Sequence, residues 1–108
     1  MTPDHPITIA EIQRAVCAEF RIGIADMKCR SRRRVVARPR QVAMYLARKL
    51  TALSLTQIAR HFGKDDHTTV LYACQIVAAR IATDHDLAAA VLRVIDAIAA
   101  NTSGKIAA

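Results

Sequence analysis

Three consecutive polar side chains, Asp66, His67 and Thr68, carry the strongest chemical signal in the sequence. They are an acid, a base and a nucleophile, but side chains that follow one another at a helix start diverge and cannot form a hydrogen-bonded triad. The same residue types can read DNA: aspartate accepts from the amino group of cytosine, histidine donates to purine acceptors, and threonine offers a hydroxyl and a methyl group. We therefore expect a nucleic-acid-binding site and no enzyme activity.

Further polar residues flank this run. Lys64 precedes it in a predicted turn and is a candidate for contact with a guanine or a phosphate, while Thr69 follows it as a phosphate candidate. Asp66 also suits the cap of the next helix, and the two roles are compatible. Asp65 would be repelled by phosphate unless a neighbouring cation pairs with it.

The polar run lies between two predicted helices, in a pattern typical of a helix-turn-helix. Ser54 and Gln57 have the spacing of a capping box for the first helix, and Gly63 suits the left-handed residue that ends it. In such a motif the second helix presents the side chains of its N-terminal turn to base edges in the major groove. The predicted apolar faces consist of Leu55, Ile58, Ala59 and Phe62 on the first helix and of Val70, Leu71, Cys74, Val77, Ala78 and Ile81 on the second.

The composition predicts an all-α fold, a compact bundle of about five to six helices. The chain has 108 residues, 53% of them hydrophobic, with two Phe, two Tyr, no Trp, three Gly and three Pro. A core of Ala, Leu, Ile and Val with few turn residues favours helices over strands. We expect one domain over residues 7–101, after a flexible lead at 1–6 and before a tail or linker at 102–108.

Three more helices are predicted outside the central motif. Thr8 and Glu11 have capping-box spacing and place the first helix at about residues 9–21. Pro39 suits the first turn of a helix, where its missing N–H costs nothing, so we place a helix from there to about Thr51. A last helix starts near Asp84 and is expected to be structural, with one apolar packing face.

Positive charge is concentrated in the middle of the chain. Eleven basic residues and no acidic one lie between Met27 and Lys64, whereas the other five basic residues are spread among all nine acidic ones. Such clustering indicates a polyanionic partner, with DNA favoured over a merely solvated charged surface. Residues 28–38, KCRSRRRVVAR, lack a helical apolar period. They are predicted to be a flexible basic loop over DNA phosphates, with a non-specific electrostatic anchor as the alternative.

The run Gly63–Cys74, GKDDHTTVLYAC, resembles the signature of the DNA-binding domain at the C-terminus of the bacterial replication initiator DnaA. That signature reads roughly G-G/K-R-D-H-T-T-V-L-H-A-C. The resemblance extends upstream through VARPRQ at 36–41 and covers nearly the whole chain, from near Ile7 to about Asn101. It departs from the family at Asp65, where the family usually has arginine, and this departure implies a changed target.

The resemblance implies a helix-turn-helix bundle of the Trp-repressor kind that binds double-stranded DNA at a site like the DnaA box. In that family the arginine just before a Ser-Val-Ala-Arg-Pro run reads the minor groove, and by resemblance this residue is Arg34, although Val35 replaces the serine. Arginine favours narrow A·T-rich minor grooves because the negative potential is deepest there. The phosphate candidates are Arg32, Arg33, Arg38, Arg40, Gln41 and Thr69.

Several kinds of chemistry have no matching motif. The sequence has no G-x-x-x-x-G-K-S/T loop, so we expect no nucleotide binding and no ATP hydrolysis of the kind that the family's motor domain performs. The spacing of Cys17, Cys29 and Cys74 is not that of a metal site, so no metal or other cofactor is expected. Without a signal peptide or a long apolar span, the predicted location is cytoplasmic, at the nucleoid.

Several roles remain open at this point. The chain can bind a replication origin as the terminal domain of an initiator, or act as a separate transcription regulator that reuses the fold at an altered target. A different class is a protein-interaction module, in which the apolar last helix docks a protein partner. A non-specific nucleoid-type DNA binder is the third possibility.

Overall fold

The structure, a computed structural model, describes residues 7–29 and 33–107, with side chains described as far as residue 101. Within these residues all regular secondary structure is helical, which confirms the predicted all-α fold. The elements are α1 at Ile9–Phe20, a 3-10 helix at Ile24–Met27, α2 at Arg34–Leu50, α3 at Leu55–His61, α4 at His67–Ile81 and α5 at His85–Ala107.

The two predicted capping boxes are confirmed and fix the starts of α1 and α3. The backbone N–H of Glu11 donates to the Thr8 hydroxyl at 3.1 Å, and that of Gln57 donates to the Ser54 hydroxyl at 3.1 Å. The Gln57 side chain accepts in return from the Ser54 N–H at 2.9 Å. Each box satisfies backbone donors that have no partner inside the helix.

Helix α2 begins upstream of Pro39, so the predicted start at this proline is wrong. Arg33 is the N-cap, and its carbonyl accepts from the N–H groups of Val36 at 3.0 Å and Ala37 at 2.7 Å. Pro39 lies inside the helix, where it cannot donate to the carbonyl of Val35. This loss is tolerable because the helix surface is open to water there: the Val35 side chain is 63% exposed.

The flexible loop predicted for residues 28–38 is therefore wrong in its second half. Arg34 occupies the first turn of α2, and Arg38 lies in its second turn. Arg40 and Gln41 follow within the helix rather than at its N-terminus, where a start at Pro39 would have placed them. The part of the predicted loop at 30–32, which includes the candidate Arg32, lies outside the described residues.

Helix α2 is the centre of the core. It packs against α4 and α1, while α5 packs mainly along α1. The carboxylate of Glu19 on α1 and the guanidinium of Arg93 on α5 form an ion pair at 2.8 Å that joins these two helices. The largest fully buried side chains are Phe62, Ile12, Met27, Met44, Leu46, Ile58, Val16, Val42, Val70, Val77 and Val94.

The buried stripe of α4 differs from the predicted one. Val70 and Val77 are buried as expected, but Ala73 lies between them in the core, while Leu71 is 43% exposed and Ala78 is also exposed. Helix α4 carries apolar residues on more than one side, and its packing against α2 selects the stripe with i, i+3, i+7 spacing.

Helix α5 extends to Ala107, so the backbone of the predicted tail continues this helix. In the described part of the chain, no helix combines the length and apolar character needed to cross a membrane.

Candidate nucleic-acid interface

A tight turn connects α3 to α4 and sets the start of α4. Gly63 has φ of 70°, which confirms the predicted left-handed residue at the end of the first helix of the motif. Its N–H donates to the carbonyl of Arg60 at 3.1 Å, and the N–H of Lys64 donates to that of Ala59 at 2.9 Å. These bonds satisfy the last carbonyl groups of α3 and hold the following residues close to it.

Asp66 caps α4, as predicted. Its Oδ1 accepts from the backbone N–H of Thr68 at 2.9 Å, and its carbonyl accepts from the N–H of Thr69 at 3.1 Å. Hydrogen bonds from the Thr68 side chain and backbone, with a smaller contribution from the charge of His67, lower the pKa of Asp66 below its ordinary value. The carboxylate is 67% exposed, so it is open to a ligand from solvent.

The first turn of α4 faces solvent. The side chains of His67 and Asp66 are 58% and 67% exposed, with Nδ1 of the histidine 3.9 Å from Oδ1 of the aspartate. Thr68 is exposed, and Thr69 is half-buried toward α2. The polar run thus stands out from the protein surface, the arrangement that a helix entering the major groove requires.

A groove between α2 and α4 brings together four candidates that are distant in sequence. Its polar lining consists of Arg40, Gln41, Lys64, Thr69 and Tyr72, and its apolar lining of Ala37, Met44 and Ala73. Sequence reasoning missed Tyr72, which lies three residues after Thr69 on the same face of α4. Tyr72 is 58% exposed, which is unusual for an aromatic residue. This exposure depends on how the helices pack, so the sequence alone does not indicate it.

Arg40 is buried, and part of its guanidinium holds the start of the basic segment, which we define as residues 28–38. Its Nη1 donates to the carbonyl of Cys29 at 2.9 Å and to that of Asp26 at 3.3 Å, and it lies 3.4 Å from the Cys29 sulfur. Only 8% of the residue is exposed. Arg40 thereby ties the end of the 3-10 helix to the second turn of α2 and fixes where the basic segment starts.

The remaining basic candidates surround the start of α2. Arg33 and Arg34 are exposed, and Arg38 is half-buried. In the turn before α4, neither Lys64 nor Asp65 has an ion-pair partner within the described residues. The ammonium group of Lys64 is therefore not neutralised by its acidic neighbour.

The cysteines fit a structural role. Burial raises the pKa of the Cys17 thiol and, as the main cause, that of the Cys74 thiol, so both favour the protonated form. Among the described residues, no three His, Cys, Asp or Glu side chains lie together in an arrangement that could hold a metal ion.

A tight glycine turn, an exposed N-terminal helical turn and adjacent arginines define a DNA-binding protein of the helix-turn-helix class. The family described as "Bacterial dnaA protein helix-turn-helix" matches residues 9–77. The chain belongs to this family of DNA-binding domains, which is not catalytic on its own.

Curated relatives agree with this assignment. The chain is 54% identical over 81 residues to the chromosomal replication initiator protein DnaA of Sphingopyxis alaskensis, across 75% of the chain and 18% of the relative. It is 43% identical over 96 residues to that of Methylacidiphilum infernorum, across 89% of the chain and 21% of the relative. With that of Gluconobacter oxydans it shares 56% identity over 70 residues, across 65% of the chain and 15% of the relative. The chain thus spans about a fifth of the length of these relatives.

Proposed function

We propose that the chain binds double-stranded DNA in a sequence-specific manner, with the first turn of α4 in the major groove. The observation that carries the proposal is the exposure of His67, Thr68 and the Asp66 carboxylate beside a surface without acidic side chains on α2 or α3. Lys64 completes the set of base-reading candidates in the turn. These groups offer the donors, acceptors and methyl group that distinguish base pairs in the major groove.

A second part of the proposal concerns the minor groove and the phosphates. Arg34 is exposed in the first turn of α2 and is our candidate for an adjacent A·T-rich minor groove. Arg32 and Arg33 are proposed to contact flanking phosphates, together with Arg38, Arg40, Gln41 and Thr69. For Arg40 the hydrogen bonds to the basic segment add a positioning role.

The proposed target is a site like the DnaA box, and the proposed role is binding at a replication origin. The curated relatives are named chromosomal replication initiators, but the chain covers about a fifth of their length. Asp65, where the family usually has arginine, supports the alternative of a transcription regulator with an altered target. Either role places the protein at the nucleoid.

A binding titration tests the sequence-specific reading. We expect a duplex with a DnaA box to bind at least about tenfold more tightly than a scrambled duplex at physiological salt. Replacing His67 with Ala should cost about 1–3 kcal/mol on the box and little on the scrambled duplex. The matched control is His61→Ala, an exposed histidine at the end of α3. Equal affinity of the wild type for the two duplexes would contradict the proposal.

An arginine scan tests the minor-groove assignment. Arg34→Ala should abolish the preference for A·T over G·C pairs beside the box, because only a groove-inserted side chain senses groove width. Arg33→Ala and Arg32→Ala should weaken binding to all duplexes alike and reduce the salt slope by about 0.9 for each phosphate that the variant no longer neutralises. If Arg32→Ala or Arg33→Ala removes the A·T preference instead, the minor-groove residue is that one.

Selection of bound sequences from random duplexes separates the two roles. Recovery of the DnaA box supports origin binding. A consensus that differs from the box at positions next to Asp65 supports an altered regulator.

A protein partner on α5 is the second candidate function. Leu92 is 61% exposed on this helix and offers an apolar side chain to a partner. Footprinting of genomic DNA without any protected site would favour this alternative over DNA binding.

A further inference from the structure

The α2–α4 groove contains a donor that no DNA-binding assignment above uses. The Tyr72 side chain is 58% exposed, and its hydroxyl makes no hydrogen bond within the described part of the chain. It lines the groove together with Gln41, Thr69 and Lys64. No acidic side chain from the described residues lines the same groove.

This set of groups fits a phosphate. A DNA phosphate carries one negative charge and accepts several hydrogen bonds, and the groove offers a lysine cation with neutral donors on two helices. The apolar lining from Ala37, Met44 and Ala73 lowers the local dielectric constant, which strengthens such contacts.

The position of Tyr72 along α4 favours a phosphate over a base. It follows His67 by five residues, which is about 7.5 Å along the helix axis at about 1.5 Å per residue. A recognition helix contacts base edges with its N-terminal residues. With the first turn of α4 at the bases, Tyr72 lies more than one helical turn further along, where backbone phosphates are the available acceptors.

We propose that Tyr72 donates its phenolic hydrogen to a DNA phosphate seated in the α2–α4 groove, and so helps to position α4 in the major groove. The proposal depends on the proposed DNA binding and extends it by one contact. The family signature has histidine at this position, whereas the chain has tyrosine, a neutral donor of longer reach.

Tyr72→Phe tests the proposal because it removes one oxygen and leaves the ring. We expect affinity for the box duplex to fall about three- to tenfold, as for one missing hydrogen bond. The salt slope should not change, since no charge is removed. The matched control is Tyr45→Phe: Tyr45 lies on α2 in a different surface groove, with the Lys49 ammonium 5.7 Å from its ring centroid. This control should bind as the wild type does.

The contact is localised with duplexes in which single phosphates are replaced by neutral methylphosphonates. At one position the replacement should weaken the wild type more than it weakens Tyr72→Phe, which is the coupling expected of a direct contact. Wild-type affinity of Tyr72→Phe overturns the proposal, and so does a weaker affinity without any coupled phosphate, which would indicate base contact instead. If the wild type binds the box and the scrambled duplex equally, that titration contradicts the proposed sequence-specific DNA binding rather than the Tyr72 contact.

Discussion

Oδ1 of Asp66 accepts the backbone N–H of Thr68 at 2.9 Å, so the carboxylate that begins α4 also stands at the exposed end that we propose to face DNA. The two functions of this side chain can be separated by substitution. Asp66→Asn should keep the cap and a thermal midpoint close to that of the wild type, because asparagine caps helices about as well as aspartate. It should nevertheless lose discrimination at the contacted base pair if Oδ2 accepts from a base, since an amide donates there.

Asp66→Ala should lower both the thermal midpoint and the affinity, because alanine neither caps the helix nor accepts from a base. Circular dichroism and a titration against box and scrambled duplexes measure the two effects. If Asp66→Asn discriminates as well as the wild type, Asp66 is a cap alone.

The charged carboxylate of Asp66 should make a contribution to the free energy of unfolding that is lost in acid. Hydrogen bonds from Thr68 lower the pKa of this carboxyl in the folded state below its ordinary value of 3.8. A lowered pKa means that the stabilisation is present above the ordinary value and is lost as pH falls through the folded-state pKa. The wild type should therefore be slightly more stable than Asp66→Asn at neutral pH, and the difference should shrink below about pH 3.8. Urea titrations at several pH values measure it, and a constant difference would contradict the assignment.

The left-handed backbone conformation of Gly63 predicts that any side chain at this position lowers the stability of the fold. With φ of 70°, Gly63→Ala should destabilise by about 1–2 kcal/mol, the usual penalty of a left-handed non-glycine residue. A Cβ there would meet Lys28 at 3.5 Å, an ordinary contact, so the cost is conformational rather than steric. Gly23→Ala is the control: φ is −87° and the nearest atom is 3.8 Å away, so stability should change by less than about 0.5 kcal/mol. Equal effects of the two substitutions would exclude this explanation.

The helix ends around the recognition turn were predictable because local rules decide them. Ser54, Gly63 and Asp66 each meet a backbone requirement that depends on a few neighbouring residues. The start of α2 was not predictable in this way. Pro39 satisfies the rule for a first turn, but the structure extends the helix upstream and leaves one carbonyl without its helical donor.

The faces of α4 depended on tertiary packing in the same manner. Leu71 and Ala73 are both apolar, and only the contact with α2 decides that Ala73 is buried and Leu71 exposed. The groove that contains Tyr72 is likewise a property of two packed helices, and neither helix indicates it alone. The sequence therefore predicted the exposed polar run of the candidate site, but not the α2 surface beside it.

The burial of Phe62 allows us to predict how much the core beneath the turn contributes to the free energy of unfolding. It is fully buried at the end of α3, directly before Gly63. Phe62→Ala should lower the free energy of unfolding by about 3–5 kcal/mol, because it removes a large buried ring and leaves a cavity. Leu92→Ala is the control: this residue is 61% exposed on α5 and should change stability by less than about 0.5 kcal/mol. Urea denaturation with an unchanged m-value measures both, and a small effect of Phe62→Ala would contradict the described core.

Arg40 predicts that the basic segment depends on a buried guanidinium rather than on charge alone. Its Nη1 donates to the carbonyls of Cys29 at 2.9 Å and Asp26 at 3.3 Å, so Arg40→Ala should destabilise the protein by about 1–3 kcal/mol and leave these carbonyls without their donor. Arg40→Lys keeps the charge but lacks the planar fork, so it should restore only part of the stability.

Hydrogen exchange should show faster opening at the first turn of α2 in both variants. DNA affinity should fall for box and scrambled duplexes alike, because the arginines that we propose to bind phosphate would lose this support. Wild-type exchange and affinity in Arg40→Lys would mean that the charge is sufficient and that the hydrogen bonds do not position the segment.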